Sequence, residues 1–252
     1  MPNTVLFDDG THRNILLEDF GHGLAIQASQ HLIVHGEVGM LLDPGGHKGF
    51  NRVLAETLAQ LQGGRLQYLF LSHQDPDIVA TTNGWLMTTE AEAWCSALWT
   101  RFVPHFGLDR LVEHRLKAIP DAGMHFNLGG ADLVALPAHY LHSCGNFHLY
   151  DSTSKILYSG DLGASFGQDY LQVPNFDDHI RYIDAFHRRY MAAGKALRAW
   201  VRMVRTLDIE TIAPQHGAYY KGRETVGRFL DWCEQLECGI DLLEGNYRVP
   251  TI

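Results

Sequence analysis

The stretch Leu69 to Ile78, LFLSHQDPDI, limits what this chain can fold into more than any other. The apolar residues Tyr68 to Leu71 predict a buried strand, which opens at once into Ser72-His73-Gln74-Asp75-Pro76-Asp77. In extended backbone His73, Asp75 and Asp77 alternate with Gln74 and Pro76 and point to one side. An imidazole and two carboxylates aimed alike at the end of a hydrophobic strand conflict, because like charges repel and are costly to desolvate. A bound cation removes that conflict.

The 252 residues, 46% of them hydrophobic, predict one soluble globular domain spanning residues 1–252. A net charge of -9 argues against a nucleic-acid surface or an anionic membrane, since both need spread positive charge. No apolar run reaches the roughly 20 residues of a membrane span. The start Met-Pro-Asn-Thr followed by Asp8 and Asp9 lacks the basic opening of a signal peptide, so a cytoplasmic location is expected. Cys95, Cys144, Cys233 and Cys238 form no Cys-x-x-Cys pair and read as reduced structural thiols, with Cys144 as a small half-buried residue rather than a redox group.

Short strands are predicted at Leu24 to Ala28, His31 to Val34 and Met40 to Leu42, followed by the breaker cluster Asp43-Pro44-Gly45-Gly46. Helical spacing from Phe50 ends at Gly63-Gly64. A helix is expected after Asp77 through Trp85 and Met87, and the aromatic-rich segment Trp94 to Phe106 reads as core. Strands return at Leu116 to Ile119, Leu133 to Leu136, Phe147 to Tyr150 and Ile156 to Tyr158, the last two joined as a hairpin by Asp151 to Ser154. One interrupted helix or two, with Gly194 as the joint, precede the strand Ile209 to Ala213 and a helix from Glu224 to about Leu236. Arg181, Arg188, Lys195 and Arg202 recur every seven residues. This basic stripe reads first as a solvated helix face and second as a docking surface for an acidic partner or nucleotide.

Four of these strands are followed at their ends by metal-ligating residue types: His73, Asp75 and Asp77, then His142, then Asp161, then His216. Three imidazoles and three carboxylates suit two metal ions, with Asp161 in Ser159-Gly160-Asp161-Leu162-Gly163 placed to bridge them. Loop starts are rich in Asp and His in any protein, so spacing alone leaves six unconnected polar residues as the alternative. Tyr140, Tyr219 and Tyr220 flank these loops and either pack beside the site or hydrogen-bond a ligand there. His139 is a substitute candidate for His142.

The runs His73-Gln-Asp75-Pro-Asp77, Leu141-His142-Ser-Cys-Gly-Asn146, Ser159-Gly-Asp161 and Pro214-Gln-His216-Gly217 resemble, in order, the ligand motifs of the metallo-β-lactamase superfamily. The resemblance is closest to its diiron branch, the flavodiiron proteins and the flavin-free oxygen-binding diiron proteins, ODP, and covers nearly the whole chain. It implies an α/β, four-layer αββα sandwich of the metallo-β-lactamase type with the site at one edge. It also implies that His73, Asp75 and His142 hold a first iron, Asp77 and His216 a second, and that Asp161 bridges them. Asp75 stands where zinc hydrolases have His, and a hard anionic oxygen there favours ferric iron over zinc. Ile78 stands where His is common, which leaves the second ion with fewer protein ligands and weakens a hydrolytic reading.

Two iron ions are therefore the expected cofactor, with zinc or manganese as alternatives. Because the chain ends at Ile252 without room for a flavodoxin domain, no FMN and no built-in electron supply are expected. That favours binding or sensing O2 in redox or oxygen signalling, with a signalling or redox protein as partner and a homodimer by family analogy. An O2 or NO reductase fed by a separate redox protein ranks second. A metal-dependent hydrolase ranks third, and a partner-binding module with a structural metal is the non-enzymatic alternative.

Overall fold

A computed structural model of the chain describes residues 3–17, 27–243, 247 and 249. Its first half opens with two antiparallel pairs, β1 (Thr4–Asp8) with β2 (His12–Leu16) and β3 (His31–His35) with β4 (Val38–Leu42). The chain then crosses through α1 (Phe50–Leu61) to β5 (Arg65–Phe70), which lies parallel to β4. Such a parallel connection needs a helix on the sheet face, and the apolar positions at helical spacing supply one. After β5 come α2 (Pro76–Val79), α3 (Thr82–Thr88), β6 (Glu92–Ser96) and β7 (Leu116–Ile119). The result is a seven-stranded sheet in sequence order β1 to β7.

The second half lays down β8 (Met124–Leu128), β9 (Ala131–Pro137), β10 (Phe147–Asp151) and β11 (Ile156–Tyr158). Two helices follow, α4 (Phe176–Tyr190) and α5 (Gly194–Val204), then β12 (Thr211–Ala213), β13 (Tyr220–Lys221) and α6 (Arg223–Gln235). The six-stranded sheet runs β13-β12-β11-β10-β9-β8, with β11 and β12 parallel. Between the sheets pack Ile33, Met40, Phe70, Phe126, Phe147 and Leu149. Outside the first sheet Val53, Trp85 and Leu86 of α1 and α3 close a second core, and outside the other sheet Ile183, Leu197, Trp200 and Phe229 of α4 to α6 close a third. This is the four-layer αββα sandwich expected.

A polar chain also crosses the layer between the sheets. His12 meets Asp151 at 2.7 Å, Asn14 donates to Asp151 at 2.7 Å and to the Tyr158 hydroxyl at 2.8 Å, and all four are buried.

Several predicted elements differ in detail. The strand at Leu24 to Ala28 lies mostly outside the described residues, and Gln27 and Ala28 are in no strand. The helix after Asp77 is two short helices, because Thr81 and Thr82 turn their hydroxyls to the carbonyls of Gly45 and Val79, both at 2.7 Å. Of the two readings offered for the next helical stretch, two helices is the one observed, with Met191 to Ala193 between them and Gly194 opening the second, so the seven-residue basic recurrence is divided between separate helices. In the aromatic segment Trp94 lies in β6, while Phe102 and Phe106 are exposed. Cys144 is exposed rather than half-buried, and the other three cysteines are buried free thiols.

Candidate metal centre

All six candidate ligands converge at one edge of the two sheets. His73 follows β5 and Asp75 is the residue before α2, in extended conformation, but Asp77 is in the first turn of that helix. Extended alternation therefore does not bring the three together. A turn at Pro76 does. The opposite sheet contributes His142 from the loop after β9, Asp161 after β11 and His216 after β12. Gly160 and Gly163 flank Asp161 with φ of +52° and +98°, and at Gly163 an added Cβ would sit 3.0 Å from the Tyr220 ring, so this bend accepts no larger residue without strain.

His73, Asp75, His142 and Asp161 each turn one ligand atom into a space where those atoms lie within 4.8 Å of one another. His142 Nε2 is 3.0 Å from Asp161 Oδ2 and 3.6 Å from Asp75 Oδ2. On the other side, His216 Nε2 is 3.4 Å from both Asp161 Oδ1 and Asp77 Oδ2. Asp161 thus meets His142 with Oδ2 and His216 with Oδ1, with His73 Nε2 also 3.8 Å from Oδ1. Burial works to raise its carboxyl, but the surrounding imidazoles of His73, His142 and His216 hold it well below the usual carboxylate range. Burial works against a proton on His216, yet Asp161 and Asp77 carry its pKa up to about 9.

Neighbours orient the rings. Ser72 Oγ lies 3.0 Å from His73 Nδ1, and the Gln27 carbonyl accepts from His216 Nδ1, so each ring turns its Nε2 inward. Buried Asp43 accepts from the Ser72 N–H at 2.8 Å, and burial pushes its pKa up to about 6. Gln74 donates to Asp75 at 2.9 Å and accepts from Ser143 at 2.6 Å, which ties the two ligand loops together.

The flanking tyrosines point elsewhere: Tyr220 donates to the Gly163 carbonyl, Tyr219 donates to Gln172, and Tyr140 is exposed. His139 faces the Asp121 carbonyl, away from the cluster, and Ile78 is buried in the core under α1 and α3. The rings that do approach are a series the sequence did not single out. Phe166 lies against His216 at 5.9 Å between centroids, Phe186 against Phe166 at 5.2 Å, Tyr190 stacks on Phe186 at 4.4 Å, and Tyr190 meets His142 edge-on at 5.7 Å.

The sequence model of the family described as ODP family beta lactamase matches residues 26–217. The chain belongs to that family. A structure of a chemotaxis sensor ODP, described as its peroxy diiron species, is 39% identical, with 98% of this ODP-family chain and 100% of that chain covered and a TM-score of 0.87. The apo state of chemotaxis sensor ODP from T. denticola is 40% identical over 97% of this chain and 98% of that one, with a TM-score of 0.86. A flavo di-iron protein from Thermotoga maritima shares the fold at 16% identity, with a TM-score of 0.75 over 92% of this chain and 60% of that one. A curated relative from Nostoc sp. named as a diflavin flavoprotein is 24% identical over 79% of this chain, and an uncharacterized protein from Methanocaldococcus jannaschii is 23% identical over 79%. The ODP-family chain spans 35% and 51% of the lengths of those two. Among the described residues no helix is long and apolar enough to cross a membrane.

Proposed function

We propose that this chain is a non-haem diiron protein that binds O2 and reports it to a signalling partner. The observation that carries the reading is Asp161: a buried carboxylate with Oδ2 toward His142, and Oδ1 toward His216 and, at 3.8 Å, His73, is shaped to lie between two cations. In this assignment His73, Asp75 and His142 hold the first ion and Asp77 and His216 the second, while Asp161 bridges. The donor set fits. His73 Nε2 and Asp161 Oδ1 are both buried without a hydrogen-bond partner although 3.8 Å apart, which is the condition of groups that a cation would satisfy. Three carboxylates and three imidazoles suit ferrous and ferric iron better than a softer thiolate site would.

Bound as a ferrous pair, the irons would supply one electron each to an incoming O2. The chain's own part is to orient and to shield. Ser72 and Gln27 face Nδ1 of His73 and His216 and so orient each Nε2 toward the centre, and Phe166, Phe186 and Tyr190 form a rim of rings from His216 to His142.

The test is the visible spectrum of iron-loaded, chemically reduced protein before O2, after O2 and after an argon purge. A charge-transfer band that forms with O2 and fades on purging is expected. Irreversible oxidation would point to a reductase, and failure to hold iron would return the hydrolase to the front. In Asp161→Ala, both the second iron and the band should be lost, and retention of both would sink the assignment.

A further inference from the structure

Beside the ligand loop that carries His142 runs an open apolar groove of about 580 Å³. One wall is Pro137 to Tyr140, the other is α5, and Ile240 closes one end. Tyr140 and Ile240 are 55% and 66% exposed, so large apolar side chains of the groove lie open to solvent.

The helix wall has a definite polarity. At about 100° per residue, Ala196, Ala199 and Met203 of α5 fall on one stripe, which lines the groove, and Lys195, Arg198 and Arg202 fall on the flank beside it. All three cations are exposed, on a chain whose net charge is -9. Small residues on the stripe let a second backbone approach closely, and the basic flank supplies a preference for one sign of charge. We infer that this groove docks an acidic amphipathic helix of a partner protein, its apolar face on Ala196, Ala199 and Met203 and its carboxylates along Lys195 and Arg202.

For regulation by the metal centre the inference rests on the O2-binding reading above, and the route is short. The Tyr140 carbonyl accepts from Ala192 N–H at 3.2 Å, which fixes the groove wall to the stretch before α5. Beneath the groove, Trp200 meets His148 edge-on at 5.3 Å, and His148 Nε2 lies 3.3 Å from the Asn146 amide. That amide also holds the carbonyl of Leu141, the residue before His142. A helix seated here touches the ligand loop itself, so occupancy of the groove and the state of the centre are linked reciprocally.

The experiment is fluorescence anisotropy of the full chain with a dye-labelled helical peptide bearing leucines on one face and glutamates along one flank, set against the same peptide with lysines for glutamates. Saturable binding of the glutamate peptide is expected, about tenfold weaker in the Lys195→Glu, Arg202→Glu double variant, recovered there by the lysine peptide, and lost in Ala199→Trp, which fills the groove. Equal binding of both peptides, no saturable binding, or indifference to Ala199→Trp would overturn the inference. So would sedimentation as a dimer that Ala199→Trp splits into monomers, because the occupant would then be a second copy.

None of these substitutions touches the six candidate ligands, so the O2 spectrum is read independently on each variant. A missing O2 band with charge-selective peptide binding removes the sensor reading and leaves the docking surface. Equal peptide affinity in metal-free, ferrous and O2-treated protein removes only the coupling.

Discussion

Phe186 joins the two halves of the metal cluster through its neighbours Phe166 and Tyr190, without touching a candidate ligand's ring itself. Truncating it opens the rim and leaves every ligand in place, so Phe186→Ala should hold iron normally while its O2-dependent band decays severalfold faster, read by stopped-flow absorbance. Tyr190→Phe keeps the ring over His142 and should behave nearly as wild type; a large loss there would mean that the hydroxyl, not the ring, matters. The convergence of the six candidate residues was legible in the sequence because each stands in a recognisable short run after a strand, although Asp77 lies in the helix that follows. Gln27, Asp43 and the rings were not. Gln27 serves through a main-chain carbonyl, which carries no sequence signature, and Phe186 reaches the site only because α4 folds over it.

At the scale of elements, the strands that went unread are those that depart from simple patterning. β1 is a half-exposed edge strand, and β2 buries His12 and Asn14, so neither shows a clean apolar run. Those two polar side chains make sense only with their partners on the opposite sheet. Asp151 accepts from His12, Asn14 and Ser154 at the end of β10, and Asp151→Ala would leave buried donors unpaired. A loss of about 3–5 kcal/mol in denaturant unfolding is expected, against little change for an exposed carboxylate such as Asp121. α4 begins with Asn175, whose side chain accepts from the N–H groups of Asp177 and Asp178 at 2.9 and 3.3 Å. Asn175→Ala should cost about 1 kcal/mol in the same assay. Hydrophobic spacing located the helix, and the cap defines where it starts.

Taken whole, the molecule should be sensitive to acid. His31, His179 and His187 are pushed down to about 4 by burial, so the folded state resists protonating groups that the unfolded chain protonates near 6.5. Stability from these residues is present above about 6.5 and lost as pH falls toward 4; at pH 5 a fully buried one such as His187 costs about 2 kcal/mol. Thermal melts of metal-free protein from pH 7 to 5 should show a steep fall in Tm, and a flat profile would contradict neutral burial. Iron should raise Tm and chelation should reverse the gain, because the cation binds only the folded arrangement. Three candidate ligands stand on the end of the first sheet and its following helix, and three on the second sheet. A centre laid across that seam would be a clasp between the halves, holding one sheet to the other at the edge where the ligand loops meet.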